Sequence, residues 1–175
     1  MTNPIDEATA KTAGALRAVK SRFLGLTGVF TTLAKEHGEV KHLLERAKRT
    51  SDPQKQRELW PKLRVELLSH ERAELLEVYP ALERYPDLAA IVTRHRREAR
   101  DLEAAIDVID SASYGTAEWM TALDTLEELV SEHARVEEEE FFPRACEVLE
   151  KPDIQALDRP FLMRKATIMA ELGAA

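Results

Sequence analysis

The amino-acid sequence predicts an all-α fold: an up-down-up-down four-helix bundle with extra helices at its N- and C-terminal ends. Three observations carry this. Ala, Leu, Glu, Lys and Arg dominate the 175 residues, while Gly (6) and Pro (8) are few, a balance that favours helix and leaves little chain for long loops. Apolar residues recur at three- and four-residue spacing along the chain, with no convincing alternating strand. Helix start and stop signals then cut the chain into lengths suited to a bundle.

The first helix is expected from about Ile5 to Phe23, with Ile5, Leu16, Val19 and Phe23 along one stripe. Gly25 and Gly28 are breakers, yet the stripe continues in phase through Leu26, Phe30, Leu33, His37, Val40 and Leu44. The pattern leaves open one long, kinked helix. Ser51-Asp52-Pro53 is a cap followed by proline in the first turn, and opens a helix that runs to Tyr79, before Pro80 and Pro86. Asp87 starts the third, through Leu88, Ile91, His95, Leu102 and Ile109. Residues 110–115 form a loop, and Thr116 caps a fourth helix ending near Leu149. The tail after Pro152 is expected to restart as helix around Pro160. The implied organisation is an N-terminal helical extension (1–26), a bundle (27–150) and a C-terminal helical tail (151–175).

Charge and cysteine content narrow the function classes. The formal net charge of −7 and the lack of a basic block give no support to a nucleic-acid partner. Cys146, the only cysteine, excludes disulfide frameworks and zinc-thiolate sites within one chain. The polar, early-acidic N-terminus does not read as a signal peptide. No apolar run approaches the roughly 20 residues needed to span a bilayer. No membrane partner and a cytoplasmic location are expected.

Two segments carry the chemistry. His70-x-x-x-Glu74 is followed, after four residues, by Tyr79-Pro80, and His133-x-x-x-Glu137 is followed in the same way by Phe142-Pro143. Each is preceded by another histidine, His37 for the first copy and His95 for the second. Residues four apart share a helix face, so each His/Glu pair can aim at one ion. Each pair also lies in register with an apolar row: Leu63, Leu67, His70, Glu74, and Leu126, Val130, His133, Glu137. His37 lies in the row of Leu33 and Val40, and His95 between Ile91 and Leu102. A bundle does not keep six buried ionisable groups without compensation, which divalent metal ions supply. The mixed nitrogen and oxygen donors suit iron, with manganese and zinc as alternatives. Two copies imply two ions, with Glu74 and Glu137 placed to bridge them.

Other constellations are weaker. Ferritin-like sites need Glu-x-x-His twice, and only Glu39-x-x-His42 fits. No phosphate loop or nucleophile elbow is found. His42 falls on another helix face and is assigned to the surface. Glu138 and Glu139 read as a solvated acidic face. Cys146, Tyr79 and Phe142 read as packing residues, with a place for Tyr79 near the metal as the minor reading.

The order His37, His70-x-x-x-Glu74, His95, His133-x-x-x-Glu137, with aromatic-Pro after each motif, resembles the hemerythrin-like (HHE cation-binding) domain over roughly residues 27–150. The resemblance implies two non-haem iron ions, oxo- or hydroxo-bridged, with an exchangeable position for a small diatomic or peroxide ligand. Two departures stand out. Oxygen carriers of the family have a histidine where this chain has Ala99, and end in His-x-x-x-x-Asp, where Glu138 stands here. A carboxylate is then expected to replace the missing histidine. Glu71 is preferred, by resemblance to the His-Glu-x-x-Glu arrangement of iron-sensing relatives, and Glu98 is the rival. More carboxylate favours the ferric state and disfavours reversible O2 carriage. The expected function is binding of, or reaction with, O2, peroxide or nitric oxide, in sensing or detoxification. A non-enzymatic iron or redox sensor, or iron storage or repair, is the alternative. Whether the protein is an enzyme stays open, as does a protein partner or a homodimer through the terminal helices.

Overall fold

The computed structural model describes residues 12, 15–17 and 25–173. Eight helices can be followed from residue 25 onward: α1 (Val29–Lys48), α2 (Pro53–Ala73), α3 (Tyr79–Leu82), α4 (Pro86–Ser111), α5 (Ala117–Val136), α6 (Phe142–Val148), α7 (Lys151–Ala156) and α8 (Asp158–Gly173). Two five-residue π turns, Glu74–Val78 and Glu137–Phe141, join α2 to α3 and α5 to α6. No strand occurs among the described residues. Helices α1, α2, α4 and α5 make the bundle: α1 packs on α2 and α5, and α4 packs on α5 and more sparsely on α2. Helix α8 lies along α2.

The caps form as their residue types require. Asp52 accepts from the Gln54 N–H at 3.0 Å, and Thr116 Oγ1 accepts from the Trp119 N–H at 3.2 Å. Of the first predicted helix, only residues 12 and 15–17 are described, and these are helical; the rest of Ile5–Phe23 lies outside the described residues. The single kinked helix is not what forms. Gly25 and Gly28 both take positive φ (79° and 52°), which breaks the chain before α1. A Cβ on Gly28 would lie 2.7 Å from the Ile154 carbonyl oxygen, so the same glycine also admits α7 against α1. The tail helix starts at Asp158, slightly ahead of Pro160.

The π turns were not foreseen, although their cause is in the sequence. Pro80 and Pro143 have no N–H for the helix ladder, and each ring crowds the carbonyl four residues back. The ladder widens just before each proline: the Tyr79 N–H bonds to the Glu74 carbonyl, and the Phe142 N–H to that of Glu137. The two motif copies thus share a backbone deformation that begins on the glutamate of each His-x-x-x-Glu.

Two apolar clusters fill the interior. One gathers Phe30, Leu33, Val78, Tyr79, Leu88, Val92, Phe141 and Phe142. The other gathers Val40, Leu44, Trp60, Leu63, Leu67, Leu102, Ile106 and Trp119. His37, His70, His95 and His133 lie in the layer between them, each following a residue of one cluster and preceding one of the other along its helix. On α4 the buried row is Leu88, Val92, His95, Ala99 and Leu102; Ile91 is only half-buried.

Candidate metal centre

The layer holds four histidines and three glutamates, His37, His70, His95, His133, Glu71, Glu74 and Glu137, all buried. The Nε2 atoms of all four histidines are buried without a hydrogen-bond partner, and so are Glu71 Oε2, both Glu74 oxygens and Glu137 Oε2. Glu137 Oε2 lies 3.2 Å from His37 Nε2 and 3.6 Å from His133 Nε2. Glu74 Oε2 lies 3.3 Å from His70 Nε2, and Glu71 Oε1 lies 3.1 Å from His133 Nε2. Three overlapping triads have donor atoms within 4.8 Å of one another: His37/His70/Glu137, His70/Glu71/Glu74 and Glu74/His133/Glu137. Glu74 and Glu137 each belong to two close groups, as do His70 and His133.

The opposite ring nitrogens explain why the Nε2 atoms of His37, His70 and His133 face the layer's carboxylates. His37 Nδ1 donates to Glu138 Oε1 at 2.8 Å, and His70 Nδ1 donates to Glu36 Oε2 at 2.8 Å. A carboxylate only accepts, so it places a proton on Nδ1 and turns Nε2 toward the layer. His95 and His133 share Glu98 Oε2, at 3.0 and 3.2 Å from their Nδ1 atoms. Glu98 is thereby on the outer side of both rings and partly exposed, while Glu71 reaches the inner side. Glu71 lies on the Nε2 side of His133 and Glu98 on the Nδ1 side, and His95, Glu98 and His133 form a further close triad. Ala99 is buried, one turn after His95 on the same face, so no donor comes from that position.

Glu138 corrects the sequence reading. It is not on a solvated face but 5% exposed, held by His37 and by Arg17 Nε at 2.6 Å. Glu139 is exposed. Glu36 was missed altogether; its adjacency to His37 hid that it serves His70 on the neighbouring helix. Tyr79 is more than packing: its hydroxyl donates to Glu137 Oε1 at 2.8 Å. Phe142 stacks near the His37 ring and Phe141 against that of His95, at centroid distances of 6.2 and 5.1 Å. His42 is half-buried and stands apart from the layer. Cys146 is a free thiol against the first apolar cluster.

In the metal-free chain, protons balance the charges of the layer. Burial drives Glu74 up to about 7, and the nearby Glu137 carboxylate adds to this. Burial would raise Glu137 too, but the charge of His133 and the approach of His37 hold it below the ordinary carboxylate range. Burial would lower His70, yet the charge of Glu74 and the hydrogen bond with Glu36 outweigh it and bring the ring to about 10. His133 is raised in the same way by Glu71 and Glu137. His95 alone of the four is lowered, chiefly by burial. Burial and the surrounding carboxylates push Tyr79 well above its usual range, which keeps it a neutral donor.

This donor layer, built twice over from His and His-x-x-x-Glu, coincides with a family match: the hemerythrin HHE cation-binding domain matches residues 28–145, well over half of the chain. The chain belongs to the hemerythrin HHE cation-binding family. The helical bundle of the hemerythrin-like domain is the fold described above, and its donors fit a metal centre on their own chemistry: buried, convergent and otherwise unpaired. No curated protein and no solved structure matches the chain. No helix of the hemerythrin-like domain or its tail, among the described residues, is long and apolar enough to cross a membrane.

Proposed function

We propose that this hemerythrin-like domain holds two non-haem iron ions with His37, His70, Glu71, Glu74, His95, His133 and Glu137, and that the centre binds or reacts with O2, peroxide or nitric oxide. One observation carries the reading: four histidine Nε2 atoms and four carboxylate oxygens are buried in one layer without hydrogen-bond partners, and those of His37, His70 and His133 lie within 3.1–3.6 Å of Glu71, Glu74 and Glu137 oxygens. Leaving so many polar atoms without partners is costly, and a pair of divalent ions compensates it. Bound iron would supply an exchangeable coordination position and a change of oxidation state. The chain supplies the rest. Glu138, Glu36 and Glu98 orient the rings, Tyr79 steadies Glu137, and Phe141 and Phe142 exclude water from one side.

The test is spectroscopic. Iron-loaded protein is mixed with hydrogen peroxide, O2 or nitric oxide while ultraviolet-visible absorption and peroxide consumption are followed. Altered charge-transfer bands are expected, absent from Glu74→Ala. No response to any of the three ligands would sink this reading. A second reading, a sensor that signals through a partner instead of turning over a substrate, is favoured by a separate observation: α8 rests on the site, with Phe161 edge-on to His70 at 6.0 Å.

A further inference from the structure

Lys165 is a cation where the packing of α8 calls for an apolar residue. It lies between Phe161 and Ile168 on the buried face of α8 and is only 8% exposed. Its Nζ lies 2.9 Å from Glu36 Oε2 on α1 and 2.9 Å from Glu66 Oε2 on α2. The oxygen it touches on Glu36 is the one that accepts from His70 Nδ1. A buried lysine is a poor way to attach a helix, since desolvation offsets the gain from pairing and apolar replacements are often as stable. What the ammonium does that a leucine would not is place positive charge on Glu36 and fix the angle at which it meets His70. The arrangement spans three helices and ends one ring away from the proposed ligand atom.

We propose that Lys165 is a positioning residue for the metal centre, making the seating of the C-terminal helix and occupancy of the His37/His70 side mutually dependent through Glu36. The coupling rests on the metal reading above. Residues that orient a metal-bound histidine commonly change metal affinity by about 10–100-fold. Linkage is reciprocal, so whatever α8 contributes to metal affinity, the metal returns to α8 seating.

The full chain is titrated anaerobically with Fe(II), and amide hydrogen exchange of residues 158–173 is compared with and without the metal. Fe(II) is expected to slow exchange in α8 by roughly the factor that α8 adds to affinity, about tenfold. In Lys165→Met, affinity for one of the two ions falls by about tenfold, and exchange in α8 no longer responds to Fe(II). Lys165→Arg restores part of both effects. In the Glu36→Gln background, Lys165→Met adds little, because both act on the same bond. A lysine that merely attaches the helix gives a different set of results: an equal loss of melting temperature with and without Fe(II), and unchanged affinities for both ions. That set overturns the proposal even if two irons bind. Failure of the wild-type chain to take up Fe(II) overturns the metal reading itself, and this proposal with it.

Discussion

The two halves of the centre repeat the same motif but not the same support. On the first side, each histidine has its own buried carboxylate, and each carboxylate has its own cation: Arg17 on Glu138 for His37, Lys165 on Glu36 for His70. Both cations come from segments flanking the bundle. On the second side, His95 and His133 share the single, partly exposed Glu98, and a groove lined by Glu98, Asp101, Glu128 and Glu132 reaches His133. The repeat therefore duplicates the His and Glu residues, while the flanking segments cover the outer carboxylates of one half and leave Glu98 of the other partly exposed.

The largest expected effect breaks both halves together. Glu137 reaches His37 on one side and His133 on the other, so Glu137→Ala should reduce metal from two ions to one or fewer per chain by elemental analysis. Retention of two would remove Glu137 from the centre. Next comes Glu36→Gln, which weakens the donation from His70 and leaves Lys165 with Glu66 as its carboxylate partner. A loss of about 10–100-fold in affinity, confined to one ion, is expected from calorimetric titration.

Proton displacement gives a graded effect. The His70 ring, at about 10, and Glu74, at about 7, hold protons in the metal-free protein that a cation must displace. Affinity should therefore rise with pH, about tenfold per unit for each proton released, and more steeply below about pH 7, where Glu74 joins. A cobalt(II) titration series that gave a flat profile there would contradict these protonation states. Tyr79→Phe removes the donor to Glu137 Oε1 and should lower the stability of the metal-free chain by about 1–3 kcal/mol in urea unfolding. The smallest effect belongs to Glu98→Gln. Solvent can replace part of what the partly exposed carboxylate supplies, so its affinity loss should be less than that of Glu36→Gln; the reverse order would invert the comparison between the halves.

The burial of the four histidines, Glu74 and Glu137 is legible in the sequence because their spacing coincides with apolar rows. His70 and Glu74 continue the row of Leu63 and Leu67, so the helix period alone turns them inward. The supporting carboxylates were not legible in the same way. Glu36 acts across to α2, Glu98 across to α5, and Glu138 across to α1, and no periodicity within one helix reveals a cross-helix partner. Glu138 was also obscured by the acidic run around it and by the π turn at Glu137, which widens the ladder and departs from the regular stripe. The place of Tyr79 near the layer is only the minor sequence reading for the same reason: a five-residue turn separates it from Glu74, and its hydroxyl reaches Glu137 on another helix. Lys165 lies on a helix predicted only coarsely, and a lysine between Phe161 and Ile168 reads as surface until its two carboxylates are placed beside it.

The two halves should hold two ions unequally. Anaerobic titration of the metal-free chain with Fe(II), run beside Glu36→Gln, tests this directly. Uptake of two equivalents, with only one weakened in the variant, is the predicted result. No stoichiometric uptake, or equal weakening of both equivalents, would contradict it.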